Sequence, residues 1–130
     1  MLQFKIKQKL KNKEEVINFM ALKLLERGYI NSSYCKTVLE RELVSSTSIG
    51  NGVALPHGDP NNILMSSISF MTLENPIIWG EEEVELIILI SMKKEDVSKY
   101  NLRDFFEILK ITHENDCLIF LSYFSDAYKI

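Results

Sequence analysis

At 130 residues the chain is long enough for one domain with a real core and too short for two. Apolar residues make up 46% and charged residues 25%, as in an ordinary globular protein, and the formal charge of −3 argues against non-specific binding to nucleic acid or anionic membranes. The longest strongly apolar run, Leu86–Ile90, is far below a membrane span, so no membrane insertion is expected. No basic and apolar signal segment opens the chain, and Cys35 and Cys117 lack metal-ligand spacing. The expectation is a single cytoplasmic domain over residues 1–130, with reduced thiols, no metal and no cofactor.

Leu2–Lys9 alternates apolar and basic residues and predicts a strand, at an edge where lysines discourage stray pairing. Asn12 then caps a helix, with Glu15 placed for a capping-box-like pair. Val16, Met20 and Leu24, flanked by Ile17, Ala21 and Leu25, give it an apolar stripe that Gly28 ends. Asn31-Ser32-Ser33 opens a second helix with Tyr34, Val38 and Leu39 inward, ending near Leu43–Ser45. Arg41 falls in its last turn, where a cation suits the helix dipole whatever else it does.

Past Ser45 come glycines and hydroxyls, then strand-like Val53-Ala54-Leu55, and Asp59-Pro60-Asn61-Asn62 forms a turn. Met65–Leu73 predicts a strand, with Ile68 and Phe70 on one side of the pleat, and Asn75-Pro76 a break after it. Val84–Met92 is the candidate central strand, because a continuous apolar run implies burial on both faces. A helix follows at Leu102–Thr112 and a shorter helix or helix pair at Asp116–Tyr128. A strand apolar on both sides needs helices on both faces of the sheet, hence an α/β fold.

One histidine stands out. His57 follows that short strand and Pro56, a residue with fixed φ that also restricts its predecessor. Gly58 follows it, so little side-chain bulk stands in a partner's way. Imidazole keeps a neutral, nucleophilic nitrogen near neutral pH, which suits it to accept a phosphoryl group. Arg41 offers a planar fork of donors for phosphoryl oxygens, against the plainer reading of an arginine held by Glu40, Glu42 or a terminal carbonyl. Thr47 and the backbone N–H groups of Gly50, Asn51 and Gly52 are candidates to cradle the same oxygens.

The run Gly50-Asn51-Gly52-Val53-Ala54-Leu55-Pro56-His57-Gly58 resembles the phosphorylation-site signature of type-2 enzyme IIA domains, the fructose/mannitol class of the bacterial sugar phosphotransferase system. The likeness extends upstream through Val38–Glu42 and Ser46-Thr47, and downstream to Pro76-Ile77-Ile78-Trp79-Gly80. It implies a three-layer α/β/α sandwich with a mixed central sheet flanked by helices. It also implies that His57 is phosphorylated by the histidine phosphocarrier protein, with Arg41 beside it.

Many transporter-type members carry a second histidine where this chain has Asn101, a candidate phosphate-binding residue that can donate a hydrogen bond to a phosphate but does not titrate. His113 reads instead as a helix-end residue. Asn101, Arg41-Glu42 and the Pro-Ile-Ile-Trp-Gly run favour the IIA-like domains at the C-termini of sugar-responsive transcription regulators and antiterminators. The chain is then a fragment or stand-alone relative of a larger regulator, with no direct nucleic-acid binding of its own. The alternative is a transport component that passes phosphate from His57 to a sugar-specific IIB cysteine. Cys35 and Cys117 read as buried small apolar residues, Trp79 as a partner contact or half-buried anchor, and Glu81-Glu82-Glu83 as a solvated turn.

Overall fold

The computed structural model describes residues 2–5 and 10–97. They form β1 (Leu2–Lys5), α1 (Lys13–Glu26), α2 (Tyr34–Val44), β2 (Ser48–Gly50), β3 (Val53–Ala54), a 3-10 turn at Pro60–Asn62, β4 (Ser67–Trp79), β5 (Glu82–Ser91) and α3 (Lys94–Val97). The strands make one mixed sheet in the order β1-β4-β5-β3-β2. β1 runs parallel to β4 at one edge, and β5 lies in the middle between antiparallel β4 and parallel β3. Among the described residues no helix is long and apolar enough to cross a membrane.

Local chemistry sets the helix ends. The Asn12 side chain accepts the Glu15 N–H at 2.9 Å, while the Glu15 carboxylate takes the Lys11 N–H at 2.8 Å, one residue before the cap itself. At the far end Gly28 N–H reaches the Leu25 carbonyl and Tyr29 N–H the Leu24 carbonyl, the paired bonds of a Schellman stop. Val16, Ile17, Met20, Ala21 and Leu24 are buried. Leu25, expected beside them, is exposed, because the helical turn carries it roughly 40° past Ala21 and off the stripe.

α1 and α2 cover the sheet face that carries Met71, Leu73, Ile87 and Leu89. Ile88 and Ile90, on the opposite pleat of β5, have no exposed surface either. Burying each such side chain contributes about 1.5–3 kcal/mol, so β5 is the firmest support the sheet offers. The helices expected over Leu102–Thr112 and Asp116–Tyr128 lie outside the described residues.

Three expectations need correction. The chain does not break at Asn75-Pro76, because β4 continues to Trp79 with a register shift between Thr72 and Ile77. A bulge is where a strand tolerates a residue without an N–H. The segment before β3 is itself a strand, since β2 and β3 form a hairpin across Asn51-Gly52. Both turn residues have positive φ, 54° and 77°, as a type I′ turn requires. Trp79 is wholly buried, neither a partner contact nor a half-buried anchor, and Glu81, Glu82 and Glu83 are exposed as expected, although Glu82 and Glu83 open β5 and only Glu81 lies in the turn.

Candidate functional site

A cleft of about 440 Å³ opens between the last turns of α2 and the segment after β3, lined by Thr37, Glu40, Arg41, Val44, His57, Gly58, Asp59 and Asn61. It brings Arg41 and His57 together. Thr47, Gly50, Asn51 and Gly52 are not among its lining residues. Asn101 and His113 lie outside the described residues.

His57 is held by the backbone on either side of it. Leu55 N–H donates to the Thr47 carbonyl at 3.0 Å, and Ile90 N–H donates to the Pro56 carbonyl at 3.1 Å. The segment therefore continues alongside β5 after β3 ends. His57 is only 1% exposed, so any reactant must approach it through the cleft. Its Nδ1 lies 3.2 Å from the Leu55 carbonyl oxygen. A carbonyl only accepts, so Nδ1 carries the proton of the neutral ring and the lone pair sits on Nε2. Burial lowers the His57 pKa to about 4, the bond to Leu55 opposes this in part, and the Arg41 charge adds to the lowering. At neutral pH the ring is uncharged and nucleophilic.

Arg41 sits in the last turn of α2, where its Nη1 donates to the Ser45 carbonyl at 2.7 Å. The helix-end role weighed from sequence is thus present, and the same side chain lines the cleft with His57. Its neighbour Glu42 is buried and fixes this end of the helix. Thr47 donates its hydroxyl and, at 3.3 Å, its backbone N–H to the Glu42 carboxylate, and the Lys13 ammonium lies 3.7 Å away. Thr47 therefore anchors α2 to the hairpin. Gly50, Asn51 and Gly52 serve the hairpin turn, with the Gly52 carbonyl accepting from Glu85 and Leu86 N–H.

Sequence reasoning missed the grip of α2 on the histidine segment. The Thr37 hydroxyl donates to the Tyr34 carbonyl at 2.6 Å and accepts the Asp59 N–H at 2.9 Å. The Tyr34 hydroxyl accepts the Gly58 N–H at 3.3 Å. Burial pushes the Tyr34 phenol up to about 12, so it stays protonated at any physiological pH. Gly58 packs so close to α2 that a Cβ there would lie 2.5 Å from Thr37 Oγ1 and 2.8 Å from Val38 Cγ2. Tyr34, Thr37, Val38 and Arg41 recur at steps of three and four along one helix face, a spacing that carried the signal.

Cys35 is half-buried, with its Sγ donating to Asn18 Oδ1 at 3.1 Å, and burial raises its pKa, which disfavours the reactive thiolate. Cys117 lies outside the described residues. Among the described residues no three His, Cys, Asp or Glu side chains converge as metal ligands.

A family model described as "Phosphoenolpyruvate-dependent sugar phosphotransferase system, EIIA 2" matches residues 2–128. The transcriptional regulator ManR of Bacillus subtilis is 31% identical over 127 residues, which is 91% of this chain and 20% of the regulator. The mannitol-specific phosphotransferase enzyme IIA component of Halalkalibacterium halodurans is 35% identical over 92 residues, 68% of this chain and 63% of that protein. The chain thus spans a fifth of one relative and under two thirds of the other. The crystal structure of IIA mannitol from Escherichia coli superposes with a TM-score of 0.69 at 23% identity, covering 92% of this chain and 94% of that one. The Escherichia coli complex of enzyme IIAMTL with phosphorylated enzyme IIBMTL gives 0.65 at 22% identity, covering 92% and 93%. At these identities the superpositions speak for the fold.

Proposed function

The chain belongs to the EIIA 2 family of the phosphoenolpyruvate-dependent sugar phosphotransferase system, and from that premise we propose that it accepts a phosphoryl group on His57 from the histidine phosphocarrier protein. The observation that carries the proposal is the pairing in one cleft of a neutral, buried histidine with Arg41. The Nε2 lone pair attacks phosphorus as the donor's P–N bond breaks, and the donor imidazole leaves with that bond's electrons. The ring of His57 gains positive charge because Nδ1 keeps its proton. The Leu55 carbonyl accepting from Nδ1 stabilises that charge. Arg41 favours the neutral nucleophile beforehand and offsets the phosphoryl charge in flight.

EIIA domains of this type occur in both regulators and transport components. We propose the regulatory use, in which the bound phosphate reports transport flux. The regulator alignment supports this by running over 91% of this chain, against 68% for the transport component. Asn101 supports it as well, since a non-titrating residue there would slow onward transfer. The transport reading draws on the IIA–IIB complex of the similar fold.

The experiment is incubation with enzyme I, the phosphocarrier and phosphoenolpyruvate. One acid-labile, base-stable phosphate is expected, absent from His57→Ala; labelling that survives this change contradicts the assignment. Rapid mixing of the phosphorylated domain with fructose- and mannitol-class IIB domains then separates the two uses. Slow transfer to every IIB supports regulation, and fast transfer returns the domain to transport.

A further inference from the structure

The hydrogen bonds on either side of His57 close into a ring. On one side the Pro56 carbonyl accepts from the Ile90 N–H at 3.1 Å. On the other, the Gly58 N–H donates to the Tyr34 hydroxyl at 3.3 Å. The Tyr34 hydroxyl completes the circuit by donating to the Ile90 carbonyl at 3.2 Å. It also accepts from the Ser91 hydroxyl at 3.2 Å. A phenol has one proton to give and two lone pairs to fill, and all three are used here. The histidine sits inside a loop made of its own two neighbours, one residue of the central strand and one helical side chain.

We propose that Tyr34 is a positioning residue for phosphoryl acceptance, holding His57 as the Nδ1–H tautomer aimed for attack through Nε2. Nothing intrinsic to a neutral imidazole in water selects the Nδ1–H tautomer found here. Its Nδ1 meets the Leu55 carbonyl only while residues 55–58 keep their course. Pro56 and Gly58 are the residues that the Tyr34–Ile90 circuit grips. Thr37 supplies a second hold at the next amide, that of Asp59. Without the hydroxyl, the Gly58 N–H and the Ile90 carbonyl would be buried and each short of a partner, and the segment would shift to satisfy them. A 1 Å displacement of the nucleophile is enough to lower a rate about a hundredfold.

The proposal rests on the reading of His57 as phosphoryl acceptor, so its test has two independent readouts. In Tyr34→Phe the ring still fills its place in the core and only the hydroxyl is lost. The rate of uptake from phosphorylated phosphocarrier, corrected for folded fraction, is expected to fall tenfold or more, with half-saturation by the phosphocarrier unchanged. The 15N shifts of His57 in the unphosphorylated chain are expected to move from one Nδ1–H tautomer to a mixture. Ser91→Ala removes a partner on the far side of the Tyr34 hydroxyl and is expected to lower the melting temperature with neither readout changed. Should Tyr34→Phe not fold, Thr37→Val reads the second hold in the same two ways. Wild-type uptake and an unchanged tautomer in the variant that folds would overturn the proposal, as would an equal loss of uptake in Ser91→Ala. A wild-type chain that takes no phosphate overturns the function instead, while the tautomer measurement still judges Tyr34.

Discussion

Two glycine-bearing segments stand a few residues apart in this chain and use glycine for opposite reasons. At Asn51-Gly52 the backbone has positive φ, and a Cβ on Gly52 would meet nothing nearer than the Glu85 side chain at 3.5 Å. Conformation is what matters there. At His57-Gly58 there is no positive φ, but a Cβ on Gly58 would collide with α2. There it is space that matters. The first segment closes an edge hairpin, and the second fits the His57 loop under the helix that also carries Arg41. A motif that reads as one signature is two devices, and only the second touches the cleft.

The comparison breaks hardest at His57, the proposed phosphoryl acceptor, since His57→Ala should remove phosphate uptake altogether while leaving the hairpin intact. Next comes the pH dependence of stability. The folded pKa of about 4 lies below the ordinary 6.5, so below 6.5 the unfolded chain binds the proton more readily. His57 therefore makes the fold less stable as pH falls from 6.5 towards 4, by about 3 kcal/mol in all, with no further loss below that. Denaturant melts of wild type and His57→Gln at pH 7 and 5 should converge or cross accordingly; parallel curves would mean the ring is not held neutral.

Gly58→Ala should cost about 1–3 kcal/mol, because Thr37 and Val38 must move to admit the methyl group, and it should slow uptake in the folded fraction. Arg41→Lys replaces a fork with a point charge and should raise the barrier to uptake by about 1–2 kcal/mol with little change in melting. Equal rates would reduce Arg41 to its bond with Ser45. The mildest change is Gly52→Ala, at about 1 kcal/mol of stability from forcing a side chain into the left-handed region. Uptake there should stay at the wild-type rate; a slowed rate would tie the hairpin turn to the chemistry after all.

What the sequence revealed follows from these contrasts. That His57 and Arg41 share a cleft was legible, because imidazole and guanidinium are chemically distinctive and each sits at the end of an element. β5 was legible because an unbroken apolar run is hard to place anywhere but mid-sheet. Tyr34 was not, since an inward tyrosine looks like any core ring until its hydroxyl is seen to meet Ile90 and Gly58. The bond of Thr47 to Glu42 was hidden for the converse reason. A hydroxyl near a glycine run suggests an anion site, and nothing local shows that Glu42 has already taken it. β4 ran on past Pro76 because its pairing with β5 resumes after the bulge, a tertiary fact that the local Asn-Pro signal cannot carry.

The most direct test of the central claim is NMR of the chain after phosphorylation by phosphoenolpyruvate, enzyme I and the phosphocarrier, with 15N in its histidines and 31P observed. The account predicts one phosphorus bonded to Nε2 of His57, with Nδ1 still protonated against the Leu55 carbonyl. Phosphorus on Nδ1 of His57, on His113, or on no histidine at all would contradict it.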